Sequence, residues 1–208
     1  RGADAYLREE ELDKEQLMEA SILHFGSATA LLDNPFQATY LNVMKLAKAK
    51  GKFISFDPNF RLDLWKGKEA NFIKMAKQGI ALADFVKLSE EELEIITGTD
   101  NLMNGVSVLH QLGASLIAVT LGSKGTFISN ANYQEIVPSI QVNAVDTTGA
   151  GDAFVGTMLY QLMKEKEIEK VIHSFEKIKE ITYFSNKVAA NVCTKVGAIS
   201  AIPNLEAI

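Results

Sequence analysis

The chain has 208 residues, of which 47% are hydrophobic and 23% are charged, and its formal net charge at pH 7 is −5. This composition is typical of a globular protein with one sizeable core, and it lacks the basic surplus that nucleic-acid binding requires. No run of about 18 apolar residues predicts a transmembrane helix. Cys193 is the only cysteine, which excludes an internal disulfide and favours a cytoplasmic location.

Short apolar runs alternate with segments of helical periodicity along the chain. The predicted strands cover residues 21–27, 52–56, 84–88, 116–120, 126–129 and 133–137, the last two as a hairpin. The predicted helices cover residues 13–20, 35–50, 68–82, 90–97, 104–112, 153–163 and, as two helices, 168–193. This alternation predicts βαβ units and a parallel sheet that is covered by helices on both faces.

Several polar residues carry predictions about local structure. Asn34 is the predicted N-cap of the second helix, with Pro35 in its first turn. Ser89 and Glu92 have the spacing of a capping box. His24 lies within an apolar strand, where we expect a buried, hydrogen-bonded histidine rather than a metal ligand.

Residues 146–152, Asp-Thr-Thr-Gly-Ala-Gly-Asp, form a turn of small residues between two carboxylates, directly before the apolar run 153–163. A helix start offers free backbone N–H groups to an anion, and Gly149 and Gly151 let a ligand approach them. A carboxylate would repel an anion bound there, but Asp152 fits if it takes a proton from a nucleophile that attacks a phosphoryl group. The alternative is that Asp152 caps the helix while Asp146 is solvated.

This stretch resembles the C-terminal signature of the ribokinase-like, PfkB-type sugar kinases. The resemblance extends along essentially the whole chain, from residue 1 to residue 203. It implies a three-layer α/β/α fold with a mostly parallel central sheet, with ATP and Mg²⁺ as cofactors. It further implies that Asp152 is the catalytic base and that Gly149, Ala150 and Gly151 form the anion hole.

Two further segments resemble the nucleotide-binding parts of that family. Residues 120–125, Thr-Leu-Gly-Ser-Lys-Gly, are similar to its T-L-G-x-x-G loop, although a tight hairpin turn with an exposed lysine is an alternative. Asn186 and residues 192–198 are similar to its adenine-side wall. The nucleotide contacts that the resemblance implies are Lys87, Thr120, Gly122, Ser123, Lys124, Gly125 and Asn186.

The resemblance also implies two metal sites. Lys87-Leu88-Ser89-Glu90 lies where the family has N-x-x-E, so that Glu90 would hold Mg²⁺ through water, while Lys87 would contact phosphate. The alternative for Glu90 is an ordinary acid at a helix start. A monovalent cation, K⁺, is expected at Asp146, Thr148, Val192, Lys195 and Gly197, and the alternative there is a packed loop without an ion.

Residues 57–61, Asp-Pro-Asn-Phe-Arg, with Leu64 and Trp65, resemble the D-x-N-x-R…L-W stretch of fructokinases and 2-keto-3-deoxygluconate kinases. Asn59, Arg61 and Asp152 would therefore contact the substrate, unless Arg61 simply pairs with Asp57. The implied reaction is ATP-dependent phosphorylation of a primary hydroxyl, converting fructose to fructose 6-phosphate. The alternatives are 2-keto-3-deoxygluconate or another sugar as acceptor, or a non-catalytic nucleotide- or sugar-binding protein.

Family members also carry an N-terminal sugar-binding stretch and a β-sheet lid, and neither is recognisable in the sequence. We therefore expect residues 1–208 to be a single α/β nucleotide- and sugar-binding domain, the C-terminal part of a larger kinase with little activity alone. Members of the family often form homodimers through the lid, which leaves the oligomeric state of this chain open, and the resemblance implies a substrate contact from Arg1. The charge and the hydropathy pattern predict no nucleic-acid and no membrane partner.

Overall fold

A computed structural model describes residues 2–130 and 132–203, and Arg1 therefore lies outside the described residues. The chain divides into two compact units, Arg1–Ile117 and Ala118–Ile208. The prediction of a single domain remains a prediction.

The first unit consists of parallel strands and the helices that follow them. Its strands are β1 (Ile22–Gly26), β2 (Phe53–Asp57), β3 (Phe85–Ser89) and the beginning of β4 (Leu116–Thr120). Its helices are α1 (Lys14–Leu17), α2 (Phe36–Ala49), α3 (Leu62–Trp65), α4 (Glu69–Leu82), α5 (Glu90–Thr97) and α6 (Leu102–Leu112). Ile22 lies opposite Phe53 and Ser55 opposite Phe85 in parallel register. The carboxyl ends of β1, β2 and β3 therefore lie at one edge, where ligands bind in such sheets.

The second unit contains the end of β4, an antiparallel hairpin and three helices. The hairpin strands are β5 (Thr126–Ser129) and β6 (Gln134–Val137), and the helices are α7 (Ala150–Met163), α8 (Ile168–His173) and α9 (Phe175–Val192). Thr126 lies opposite Val137 in the hairpin. Helices α7 and α9 bury apolar side chains such as Met158 and Ile178. The strand pairs are parallel between β1, β2 and β3 in the first unit and antiparallel between β5 and β6 in the second.

The predicted strands and most predicted helices are confirmed to within one or two residues. The capping box is confirmed, because Ser89 Oγ accepts a hydrogen bond from Glu92 N at 3.1 Å and Glu92 Oε2 accepts one from Ser89 N at 2.7 Å. Gly98 ends α5 with a φ of 78°, which glycine adopts without strain. Among the described residues, no helix is long and apolar enough to cross a membrane.

Two local predictions were wrong, and one helix start is shifted. Helix α2 begins at Phe36 with Pro35 at the N-cap position, so Asn34 does not cap it. Helix α6 begins two residues before its predicted start because Asn101 caps it, accepting a hydrogen bond from Asn104 N at 3.0 Å. His24 is exposed rather than buried, although its Nδ1 lies 3.0 Å from Ser55 Oγ.

Candidate functional site

Asp57 is the last residue of strand β2, and its carboxylate accepts hydrogen bonds next to the predicted substrate residues of the first unit. Its Oδ2 accepts a hydrogen bond from Lys87 Nζ at 3.0 Å, and the two residues are only 3% and 8% exposed. Its Oδ1 accepts from Asn59 N at 3.0 Å. Asp57 therefore pairs with Lys87, from β3, and not with Arg61 as the structural alternative supposed. Lys87 was predicted to contact phosphate, but its ammonium group donates a hydrogen bond to Asp57 within the first unit.

Asn59 and Arg61 follow Asp57 in the chain, and the structure defines the backbone conformation of the first and the exposure of the second. Asn59 has a φ of 48°, in the left-handed region that asparagine tolerates better than most residues. Arg61 is exposed at the N-cap of α3, while Trp65 at the other end of that helix is buried. The Phe60 and Trp65 rings both pack against Phe72, with centroids 4.8 and 5.2 Å away. The loop therefore carries the amide of Asn59 and the exposed guanidinium of Arg61, and it is held by the aromatic packing on Phe72.

Glu92 is a buried acid that the sequence marked only as part of a cap. Its Oε1 accepts a hydrogen bond from Phe60 N at 2.6 Å, while its Oε2 accepts the capping bond from Ser89 N. Burial and the neighbouring Asp57 raise the pKa of Glu92, whereas Lys87 and the two backbone N–H groups oppose that rise. The signal that could have identified Glu92 is its place at the third position of α5, which turns it back towards the ends of the strands.

Glu90, the predicted Mg²⁺ residue, is exposed at the first position of α5. No group of three or more His, Cys, Asp and Glu side chains gathers as a metal site among the residues that the structure describes. A single carboxylate is nevertheless sufficient for Mg²⁺, which keeps several waters and binds substrate phosphates. The assignment of Glu90 therefore remains a prediction.

In the second unit, the predicted anion-binding turn leads directly into helix α7. Gly149 is the N-cap of α7 with a φ of 80°, and Ala153 N donates to its carbonyl at 2.9 Å. A Cβ atom added to Gly149 would lie 2.7 Å from Ala198 Cβ. Gly149 thus supplies both the turn and the space for the chain after α9. The Ala150 N–H donates to Thr147 O at 3.2 Å, so the predicted anion hole depends on the neighbouring N–H groups at the helix start.

Asp146 holds this turn from behind through two backbone bonds. Its Oδ1 accepts from Thr148 N at 2.9 Å, and its Oδ2 accepts from Gly197 N at 3.0 Å. Hydrogen bonds from the Thr148 side chain, from Gly197 N and from Thr148 N lower the pKa of Asp146 to about 2. Asp146 is therefore not merely solvated. Of the other predicted cation positions, Val192 is buried at the end of α9 and Lys195 is exposed.

A cavity of about 310 Å³ brings the predicted nucleotide residues of this unit together. The predicted residues that line it are Thr120, Gly122, Ser123, Gly125, Ala150, Gly151 and Asn186. Lys124 is exposed on the short 3-10 turn Gly122–Lys124. Cys193, from the predicted adenine-side wall, also lines the cavity, and so does Phe154, which the sequence did not single out for this role. Its small-residue wall next to free N–H groups fits a nucleotide phosphate.

Asn186 lines this cavity, but its side chain is largely engaged by the protein. Its Oδ1 accepts from Thr126 Oγ1 at 2.7 Å, and its Nδ2 donates to Val137 O at 2.9 Å and to Pro138 O at 3.2 Å. Both amide protons are therefore used. Asn186 holds the ends of β5 and β6 against α9, and this role is structural, whereas the sequence suggested proximity to the base.

Asp152 lies in the first turn of α7 and is exposed. It lines a second cavity, of about 440 Å³, together with Gly149, Thr157 and Tyr160. Thr157 Oγ1 donates to Ala153 O at 2.7 Å, so the threonine is satisfied within the helix. The first turn of α7 thus has Ala150 and Gly151 on one cavity and Asp152 on the other.

Comparisons with known proteins identify the family of the chain. The family described as pfkB family carbohydrate kinase matches residues 1–205. Fructokinase-2 of Zea mays and fructokinase-2 of Oryza sativa subsp. japonica are each 38% identical over 208 residues, covering 98% of this chain and 59% of theirs. The chain therefore spans about three-fifths of the length of these relatives.

Solved structures of similar proteins lead to the same family. Fructokinase from Vibrio cholerae O395, bound to fructose, ADP and calcium ion, is 33% identical with a TM-score of 0.86, over 99% of this chain and 64% of that one. Fructokinase from Xylella fastidiosa with bound ATP is 32% identical with a TM-score of 0.89, over 99% and 65% of the two chains. Ribokinase from Thermotoga maritima, at 27% identity and a TM-score of 0.76 over 99% and 61%, confirms the predicted ribokinase-like fold. The chain belongs to the pfkB family of carbohydrate kinases.

Proposed function

We propose that the natural protein carrying this chain transfers the γ-phosphoryl group of ATP to a primary hydroxyl of fructose. The observation that carries the proposal is the position of Asp152 on the first turn of α7, beside N–H groups at the edge of a nucleotide-sized cavity. The fructokinases among the similar proteins support fructose as the acceptor.

In this reaction Asp152 accepts the proton of the sugar hydroxyl while the hydroxyl oxygen attacks the γ-phosphorus and ADP leaves. General-base help of this kind contributes roughly 10²–10⁴-fold to the rate. Backbone N–H groups of Gly149 and Gly151 would bind the charge on the transferred group, because these donors are fixed before the reaction. The Ala150 N–H, the third predicted donor of the anion hole, donates to Thr147 O at 3.2 Å and would have to be shared.

The first unit would supply acceptor and metal contacts. Asn59 and Arg61 offer an amide and a fork of N–H donors to sugar hydroxyls. Glu90 would hold Mg²⁺ through water, and the ion would neutralise phosphate charge when bound. For K⁺, both carboxylate oxygens of Asp146 already accept N–H bonds, so backbone carbonyls would provide much of the ligation.

A second acceptor, 2-keto-3-deoxygluconate, is favoured by one specific observation. Arg61 is exposed, and a guanidinium binds a carboxylate in a bidentate manner, which fructose cannot exploit. If Arg61 serves that purpose, the acid substrate will be preferred over the neutral sugar.

ADP release by the full-length natural protein tests the proposal. The assay would use ATP and Mg²⁺ with fructose, with 2-keto-3-deoxygluconate, with ribose and without sugar. We expect the fastest sugar-dependent release with fructose. If ADP release is fastest with 2-keto-3-deoxygluconate, this acid and not fructose is the acceptor. If no sugar causes ADP release while calorimetry still shows ATP binding, the protein is a non-catalytic binding protein.

A further inference from the structure

The cavity of about 310 Å³ in the second unit extends along helix α9 from the turn that precedes α7. Asp146 N donates to Cys193 O at 3.2 Å, so the end of α9 lies at that turn. Asn186 lies earlier in α9, roughly 10 Å away along the helix axis at about 1.5 Å per residue. With phosphate bound at the turn, the base of a nucleotide therefore lies towards Asn186.

The two buried polar side chains at this end of the cavity are already used by the protein. Asn186 is 4% exposed, and its two amide protons are donated to the carbonyl oxygens of Val137 and Pro138. Its oxygen accepts a hydrogen bond from the hydroxyl of Thr126, which is 1% exposed. Neither of these two described side chains therefore retains a proton that it could donate to a base.

The polar side chains in the rest of the cavity wall do not select one base edge. Each of them offers both a donor and an acceptor, so it pairs equally with the amino group of adenine and with the carbonyl oxygen of hypoxanthine or guanine. In the part of the wall that the structure describes, they are the hydroxyls of Thr120, Ser123, Ser139 and Thr147 and the amide of Gln141. Apolar side chains such as Ile140, Val142 and Ala189 supply much of the remaining contact surface.

We propose that this site binds purine nucleotides without strong preference for the base, so that ITP and GTP serve as phosphoryl donors besides ATP. The proposal rests on the proposed function, because it takes the cavity as the nucleotide site of the kinase. An apolar pocket cannot strongly reject an analogue that differs in one polar group, whereas a site built to hydrogen-bond that group can. The γ-phosphoryl group passes to fructose as before, Asp152 accepts the hydroxyl proton, and IDP or GDP leaves in place of ADP.

Nucleotide binding and turnover by the full-length natural protein test this proposal. ATP and ITP are a matched pair, because their bases differ only at position 6 and in the proton on the adjacent N1. Calorimetry without sugar should give a Kd for ITP within about tenfold of that for ATP, which is the effect of one neutral hydrogen bond at most. With fructose and Mg²⁺, kcat/KM for ITP and for GTP should also lie within about tenfold of the value for ATP. A larger difference in Kd or in kcat/KM would mean that a backbone group of residues 139–144 reads the base, and it would overturn the proposal.

A variant separates the structural role of Asn186 from recognition of the base. Asn186→Ala should lower the unfolding midpoint but leave the ratio of the ATP and ITP dissociation constants within about twofold of the wild type. Asn130→Ala, which removes another buried amide outside the cavity wall, is the control. A changed ratio in Asn186→Ala alone would show that Asn186 reads the base and would overturn the proposal.

The wild-type comparison is sufficient if Asn186→Ala does not fold, and it distinguishes this proposal from the proposed function. If ATP and ITP bind equally well but no sugar is phosphorylated, the proposed function fails while the lack of base preference stands. If fructose is phosphorylated from ATP alone, the proposed function stands and the present proposal fails.

Discussion

Lys87 Nζ lies 3.0 Å from Asp57 Oδ2, and both side chains are buried at the end of the parallel strands. Glu92 is a second buried acid next to this pair, and Asp57 and Lys87 act on its pKa in opposite directions. The lysine therefore balances two carboxylates. Removing one member of a buried ion pair is costly because it leaves uncompensated charge.

Lys87→Met should lower the free energy of unfolding by about 3–5 kcal/mol at neutral pH. Urea unfolding measures this loss, with Lys74→Met, at an exposed position of α4, as the matched control. The pH dependence of the variant's stability follows from Glu92. The pKa of Glu92 in the folded protein already lies above its ordinary value of 4.5, and it should rise further without Lys87. Stability of the variant should fall as pH rises above about 4.5. A loss no greater than that of Lys74→Met would contradict the balance of charges.

Asp146 should make the fold sensitive to acid. Its pKa is about 2 in the folded protein against an ordinary 3.8, so its contribution is complete above about pH 4 and disappears as pH falls towards 2. Unfolding free energies of the wild type and Asp146→Asn, measured from pH 5 to pH 2, should therefore differ most at the higher pH and converge at the lower. Asp63→Asn, at an exposed carboxylate, is the control and should show no such convergence. A constant difference for Asp146→Asn would show that the carboxylate charge is not involved.

Alanine substitutions at Gly149 and Gly67 distinguish the cost of backbone strain from the cost of a steric clash. Both have positive φ, 80° and 76°, but a Cβ on Gly67 would meet nothing within 4 Å, whereas one on Gly149 would meet Ala198. Gly67→Ala should cost about 1 kcal/mol of strain. Gly149→Ala should cost about 1–3 kcal/mol more, because Ala198 must move. Equal losses in urea unfolding would mean that the segment after α9 yields without resistance.

The sequence predicted elements and motifs better than it predicted polar partnerships. Periodicity located β4 at residues 116–120 and α5 at 90–97 because apolar spacing and capping are local properties. The partner of Asp57 was not predictable, since Lys87 lies 30 residues away and becomes its neighbour only when β2 and β3 pair. The hydrogen bond from Phe60 N to Glu92 was not predicted for the same reason.

The surroundings of His24 and Asn186 also depend on tertiary structure and could not be predicted from the sequence. His24 has apolar neighbours in sequence, but it is exposed, whereas Phe25, which points to the opposite face of β1, is buried. Asn186 lines the cavity of about 310 Å³ and its contact with a nucleotide stays a prediction, whereas its hydrogen bonds to Thr126 and Val137 depend on how α9 packs on the hairpin. Such tertiary contacts leave no periodic signal.

The most direct test of the central claim is the turnover of Asp152→Asn in the full-length natural protein, with fructose, ATP and Mg²⁺. We expect kcat to fall about 10²–10⁴-fold, while calorimetry shows unchanged ATP affinity and the unfolding midpoint stays within about 2 °C of the wild type. Asp100→Asn, at an exposed carboxylate before α6, should keep full activity. Wild-type turnover by Asp152→Asn would contradict the assignment of Asp152 as the base.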